Sequence, residues 1–294
     1  MTITNRPYKL LSDFIDVHEF LSKTYTIKEL NSMMIPQFFE YAHTHPAFNH
    51  KLTHKMTIWE NDNQIVAFCG YETDVGEAYL VAEKNYYNLL PEMLLQAEKE
   101  LAIESSGKLE LSVWIIDSQQ THAKLLEDNG YKKIHAEPVK IFNYENNFIN
   151  ITLPEGFKCV TLNEAKDIRK LHRCLHLGFN HDGEPDDDIE CRKYMQSGKH
   201  YRFDLSRIII APNGDYACYA GMWLDELNHY AYLEPLCTVP EYRRMGLASY
   251  VLTEAMKATK QLGALYCFGG IPEFYTAIGF KTICNRELWK KVWQ

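Results

Sequence analysis

"CTVPEYRRMGLASYVLTEA", Cys237 to Ala255, joins a strand-like run to a helix-like run through two arginines and a glycine. The first backbone N–H groups of a helix have no intrahelical acceptor and lie at the positive end of its dipole. Arginine adds a fork of donors that matches phosphate oxygens. Gly246 and the small Ala248 keep side chains away from the backbone at that point. In chemical terms Arg243-Arg244-Met245-Gly246-Leu247-Ala248 is a cradle for a pyrophosphate. It is not the three-glycine dinucleotide fingerprint, and it lacks the Gly-Lys-Ser/Thr ending of a P-loop. Taken alone, the pattern also fits an ordinary strand-to-helix turn with solvated arginines.

Working outward, the segments around this turn recur earlier in the chain. "NGDYACYAGMWLDELNHYAYLEPL" precedes it and "ALYCFGGIPEFYTAIGFKTI" follows it; the first half holds "NDNQIVAFCGYETDVGEAYLVAE", "LLPEMLLQAEKELAI" and "KLELSVWIIDSQQTHAKLLEDNGYKKI". Each copy opens on a polar turn (Asn61-Asp62-Asn63, Asn213-Gly214-Asp215). Each continues through two strands, the first containing a glycine (Gly70, Gly221), then an amphipathic helix and a further strand. Each closes on a short helix stopped by glycine and an aromatic, Gly130-Tyr131 and Gly279-Phe280. The reading is two copies of one mixed α/β unit. The polar "YENNFINITLPEG" separates them, giving domains 1–148 and 149–294. In the second copy the periodicity predicts a helix over "LNEAKDIRKLHRCLHLGF" with Asn163 as a possible N-cap, and strands over "DLSRIIIAP", "YACYAGMWL" and "HYAYLEPLCTV". It predicts a helix from Leu247 to Leu262, a strand over "ALYCF" and a last short helix opened by Pro272.

The turn with its flanks, followed by "FYTAIGF", resembles the GCN5-related N-acetyltransferase (GNAT) family, and the repeat resembles its tandem-domain members. The family signature Arg/Gln-x-x-Gly-x-Gly/Ala is matched at Arg243, Gly246 and Ala248. Its Tyr-x-x-x-Gly-Phe helix end is matched at Tyr275, Gly279 and Phe280. The resemblance covers residues 155 to 290 well and the first half in outline. It implies an α/β (α+β) fold of two tandem domains. Each is a mostly antiparallel twisted sheet flanked by helices, with a splayed strand pair that binds the coenzyme.

Carried over by position, the resemblance implies that the backbone of Leu236, Cys237, Thr238 and Val239 holds the pantetheine arm of acetyl-CoA. One of those N–H groups would polarise the thioester carbonyl. Arg243, Arg244, Met245, Gly246, Leu247 and Ala248 would hold the pyrophosphate. The implied reaction is direct attack by a primary amine on the thioester, with Tyr275 as the acid that protonates the departing thiolate. Glu234, just before Pro235, is a candidate base, and Asp225 and Glu226 are weaker ones. Pro235 cannot donate a ladder hydrogen bond, so it belongs at an edge or bulge whatever the family. The asparagine that members often carry before the final helix is missing from "FGGIPEFY". The first copy has "NYYNLLPE" in place of the cradle and Leu126 in place of Tyr275, so its expected role is structural. A non-catalytic acyl-CoA sensor and an O-acyltransferase remain alternatives.

Composition narrows the partners. The chain has 294 residues, 46% hydrophobic and 24% charged, with a net charge of −8 and no long basic run, which disfavours nucleic acid. No signal-like or membrane-spanning apolar run is present, and the eight scattered cysteines form no CxxC pair. A cytoplasmic protein is expected, monomer or homodimer, acting on a small-molecule amine or a peptide, with no membrane and no metal. "HTHPAFNHKLTH" reads as a polar surface segment rather than a metal site. The acidic loop Asp182–Glu190 reads as a solvated loop or an attractor of a cationic substrate.

Overall fold

The polar turns that punctuate both copies close tight hairpins. Asp62 and Asn63 both take left-handed backbone (φ 50° and 63°), as does Gly214 (φ 85°), and Ala211 donates its N–H to Asp215 O. The computed structural model describes residues 3–294, which divide into two units. Of these, unit 1 comprises residues 3–139 and Ile283–Gln294; unit 2 comprises Lys140–Thr282.

Unit 1 runs β1 (Ile3–Pro7), α1 (Leu10–Thr24), α2 (Pro36–Thr44), β2 (Thr57–Asn61), β3 (Gln64–Gly70), β4 (Glu77–Ala82), α3 (Leu90–Glu100), β5 (Ile103–Ser105), β6 (Lys108–Ile116), α4 (Gln120–Asp128) and β7 (Lys132–Asn143). Unit 2 continues with β8 (Lys158–Thr161), α5 (Ile168–Gly178), α6 (Glu190–Met195), β9 (Arg207–Ile210), β10 (Tyr216–Asp225), β11 (Tyr230–Thr238), α7 (Leu247–Gln261), β12 (Tyr266–Gly269) and α8 (Glu273–Ala277). The last strand is β13 (Lys281–Trp293).

The repeat is visible strand by strand. In unit 1, β2, β3 and β4 are antiparallel neighbours and β6 lies parallel to β4; in unit 2, β9, β10 and β11 are antiparallel neighbours and β12 lies parallel to β11. The division differs from the expected break at 148/149. The end of β7 pairs with β12 in unit 2, and β13 pairs with β6 in unit 1 through Arg286↔Ile116 to Trp293↔Leu109. Each sheet is thus completed by the strand that the repeat assigns to the other copy. Pairing register, which no local pattern in "KTICNRELWKKVW" encodes, decides this.

β10 is buried along its whole length, which explains why "YACYAGMWLD" reads as a continuous apolar run. On one face Ala217, Ala220, Met222 and Leu224 pack against Leu247, Val251, Leu252 and Ala255 of α7. On the other, Tyr216 and Tyr219 pack with Leu171, Cys174 and Leu175 of α5. α5 starts later than expected. Asp167, not Asn163, caps it, accepting from the N–H groups of Arg169 and Lys170.

One further expectation is corrected in part. The histidine-rich segment is not polar surface throughout, although His54 is exposed. His43 is buried between Phe39 and Phe48, with ring centroids 4.2 and 4.4 Å away, and burial lowers its pKa to about 4. The acidic loop is exposed, as a solvated loop is, and three of its carboxylates pair with α5: Glu184 with Arg173, Asp187 with Arg169 and Asp186 with His172. No helix of the described residues is long and apolar enough to cross a membrane. All eight cysteines are free thiols.

Candidate functional site: a cationic cleft at the splayed strand of unit 2

The site begins with a bulge in β11. Ala220 pairs with Leu236 and Met222 with Leu233, so Glu234 and Pro235 together face the single residue Gly221. The Glu234–Pro235 peptide is cis. Gly221 is required by space: a Cβ there would stand 2.4 Å from Glu234 O and 2.9 Å from Pro235 Cδ. Trp223 donates its indole N–H to the same Glu234 carbonyl at 3.1 Å and fixes the bulge. On its other side β11 pairs with β12 only from Tyr230↔Tyr266 to Tyr232↔Phe268. Beyond the bulge the two strands part, and the open edge of β11 lines a cleft of about 970 Å³.

The cleft brings together most of the residues singled out in the sequence: Leu236, Cys237 and Thr238 from β11, Arg243, Arg244, Gly246, Leu247 and Ala248 from the turn, and Tyr275 from α8. Glu234, Val239 and Met245 are not in its lining. Val239 is turned away; its side chain is buried and its N–H donates to Ala217 O. Met245 is an exposed side chain of the turn. Asp225 is buried in the β10–β11 hairpin, where it accepts from Asn228 N, and Glu226 pairs with Arg202. Neither is in the lining of the cleft.

The turn works differently in detail from the sequence reading. Gly246 is the N-cap of α7 and takes left-handed backbone, φ 79°. A Cβ at Gly246 would meet only Ile151 Cγ2 at 3.6 Å. Backbone conformation, rather than room for a ligand, therefore demands glycine here. Glycine offers no side-chain cap, so the first N–H groups of α7 stay open towards the cleft. The Arg243 guanidinium is held by neutral acceptors, Thr238 O and Gly178 O at 3.1 Å and Asn180 Oδ1 at 2.6 Å. It anchors the turn to the end of α5 and keeps its charge uncompensated. Arg244 follows in left-handed backbone (φ 64°). Among the described residues no carboxylate lines the cleft, so arginine charge and helix dipole act together on whatever enters.

Tyr275 is set by two glycines whose importance the sequence did not reveal. A Cβ at Gly269 or at Gly270 would stand 2.7 Å from its ring. Gly279 (φ 102°) ends the helix, and Phe280 packs edge-on to the Tyr275 ring at 5.3 Å. Burial raises the pKa of the Tyr275 hydroxyl first, and the negative charge of Glu234 raises it further, so the phenol stays protonated through neutral pH. Gly178, Asn180, Trp223, Gly269 and Gly270 thus complete the site. Only the Gly-Gly pair carried a local signal.

Unit 1 lacks the cradle. Its equivalent of the turn is a 3₁₀ segment, Lys84–Leu89, that leads directly into α3, with right-handed Leu89 at the N-cap and Pro91 in the first turn. Leu126 is buried at the position of Tyr275.

Residues 166–280 match the model of the Acetyltransferase (GNAT) family. No curated protein matches the chain. Among solved structures, the GCN5-related N-acetyltransferase from Sphaerobacter thermophilus superposes with a TM-score of 0.62 at 13% identity, over 99% of this chain and 95% of that one. A tandem GNAT protein from the clavulanic acid biosynthesis pathway superposes with a TM-score of 0.59 at 10% identity, over 99% and 98%. N-myristoyltransferase from Saccharomyces cerevisiae shares the fold at a TM-score of 0.56 and 10% identity, over 99% and 79%. Residues 166–280 belong to the GNAT family of acetyltransferases, and the chain as a whole carries the fold of its tandem members.

Proposed function

We propose that unit 2 transfers an acyl group, acetyl by preference, from acetyl-CoA to a primary amine. The observation that carries this reading is a single cleft that joins an open strand edge, an uncapped helix N-terminus with two arginines, and a protonated buried tyrosine. The absence of carboxylates from its lining suits a polyanionic ligand. Arg244 and the N–H groups at the start of α7 would hold the pyrophosphate, with Arg243 bracing the turn. The β11 edge at Leu236–Thr238 would pair with the amides of the pantetheine arm, and one of its N–H groups would polarise the thioester carbonyl.

Tyr275 would donate its proton to the thiolate as the C–S bond breaks. Glu234, outside the cleft lining but near enough for its charge to act on Tyr275, would take the proton from the attacking amine through a water. The acceptor would be a small-molecule amine or a peptide terminus, and the free thiols suit the cytoplasm. The test is release of free thiol from acetyl-CoA across a panel of amines, amino sugars, amino acids and peptides. At least one amine should raise thiol release above hydrolysis, with the acetyl group recovered on nitrogen. Thiol release at the hydrolysis rate with every acceptor would leave a coenzyme sensor as the better reading.

A further inference from the structure

Two buried thiols of unit 2 meet beside the turn that opens α7. Cys174, on α5, is 1% exposed, and Cys237, on β11, is 5% exposed. Their Sγ atoms stand 4.0 Å apart, and the Cys237 thiol also donates to Cys174 O at 3.6 Å. Both belong to the apolar cluster between α5 and the sheet, whereas Cys218 sits in the cluster on the α7 face. Of the pair, Cys237 borders the cleft.

A glycine makes this close approach. Gly178 lies one turn beyond Cys174 on the same face of α5. A Cβ there would stand 2.7 Å from Cys237 Cβ and 2.8 Å from its Sγ. Arg243 ties the same two elements together. Its guanidinium donates to Thr238 O on β11 and to Gly178 O and Asn180 Oδ1 at the end of α5. The spacing of α5 and β11 at the two cysteines therefore sets the seat of Arg243, and Arg243 braces the turn.

A disulfide is about 2.05 Å long, so the two sulfurs must close by about 2 Å to bond. Packed against Gly178, the Cys237 side chain has little room to turn, and the movement falls on α5 and β11. All three acceptors of Arg243 lie on or beside those elements. The thiols also differ in readiness. The bond with Cys237 first, and burial next, hold the Cys174 thiol well above its ordinary pKa. Cys237, at the cleft, is the thiol that meets an incoming oxidant, and Cys174 follows.

We propose that Cys174 and Cys237 form a reversible thiol–disulfide site, oxidised by a low-molecular-weight disulfide that enters the cleft, and that oxidation unseats Arg243 and its turn. The Cys237 thiolate attacks one sulfur of the small disulfide, forming a mixed disulfide and expelling one thiolate. The Cys174 thiolate then attacks Cys237 Sγ and expels the second. The two cysteine protons end on the two departing thiols. The protein pair loses two electrons and the small disulfide gains them, and two equivalents of a small thiol reverse the exchange. Bond formation does not rest on the acyl-transfer reading of unit 2; only its effect on acetyl-CoA does.

The full chain is incubated with glutathione disulfide, and peptide mapping without reduction locates the bonds. Cys174 and Cys237 should be joined in the parent chain and free again after dithiothreitol. Hydrogen exchange of the backbone N–H groups of residues 243–248 should be about tenfold faster or more in the oxidised parent than in the reduced one. Acetyl-CoA affinity, read by calorimetry, should fall about tenfold or more on oxidation. In Cys174→Ala, glutathione disulfide should change neither exchange nor affinity. The proposal is overturned if both thiols stay free, if Cys237 stops at the mixed disulfide with glutathione, or if the bond forms and exchange at residues 243–248 is unchanged. Failure of the reduced chain to bind acetyl-CoA would count against the acyl-transfer reading alone, because mapping and exchange do not use the coenzyme.

Discussion

Gly221→Ala tests whether the bulge shapes the cleft. The added methyl would stand 2.4 Å from Glu234 O, 2.9 Å from Pro235 Cδ and 3.0 Å from Glu234 C. An unstrained carbon–oxygen contact is about 3.3 Å, so the carbonyl must retreat by roughly 0.9 Å. That shift is enough to break its 3.1 Å hydrogen bond from Trp223. Overpacking costs about 1–3 kcal/mol and the lost hydrogen bond about 1 kcal/mol, so unfolding in urea should show a loss of about 2–4 kcal/mol. Affinity for acetyl-CoA should fall about tenfold or more, since the moved residues carry the Leu236–Thr238 edge. Trp223→Phe, which removes only the donor, should lose about 1 kcal/mol with a smaller effect on affinity. A Gly221→Ala protein with stability within about 0.5 kcal/mol of the parent and unchanged coenzyme affinity would refute the reasoning.

Tyr275→Phe should lower turnover about a hundredfold while acetyl-CoA affinity stays within about twofold, and steady-state kinetics beside calorimetry read the split. Because the hydroxyl is held above its ordinary pKa, the parent enzyme should show no alkaline loss from this group up to about pH 10 in a pH–rate profile. Glu72 in unit 1 is pushed up to about 7, by burial first and by the charge of Glu77 next. A raised carboxyl favours the fold below its unfolded pKa, and that contribution is lost as pH rises from about 4.5 to 7. Glu72→Gln should therefore gain about 3 kcal/mol at pH 8 and almost nothing at pH 4.5 in urea unfolding. Asp167→Ala, which uncaps α5, should lose about 1 kcal/mol in the same assay.

The elements that could be read from the sequence are those fixed by local chemistry. The Asn213-Gly214 turn, the start of α7 after Gly246 and the glycine stop at Gly279 all lie where backbone conformation selects the residue. The apolar face of α7 is likewise a local pattern, and Leu252, Ala255 and Met256 are buried as expected.

What escaped depends on partners distant in sequence. Arg243 looks free in "EYRRMG", yet its bonds go to Gly178 and Asn180. Trp223 looks like one more core aromatic until its indole meets the carbonyl of Glu234. His43 looks polar until Phe39 and Phe48 close on it. The left-handed turn at "LNSM" contains no glycine to announce it; packing holds it, with Ser32 bonded to Gln119 and Asn31 to Leu21 O. At roughly 1–2 kcal/mol per residue, such a turn survives only where tertiary contacts offset it.

Binding of acetyl-CoA to the cleft is the central claim, and calorimetric titration of the full chain tests it directly. The account predicts saturable binding at one site per chain, abolished by Gly246→Glu, which places a carboxylate where the first N–H groups of α7 meet the turn. No heat of binding at millimolar acetyl-CoA, or the same affinity in the Gly246→Glu protein, would contradict it.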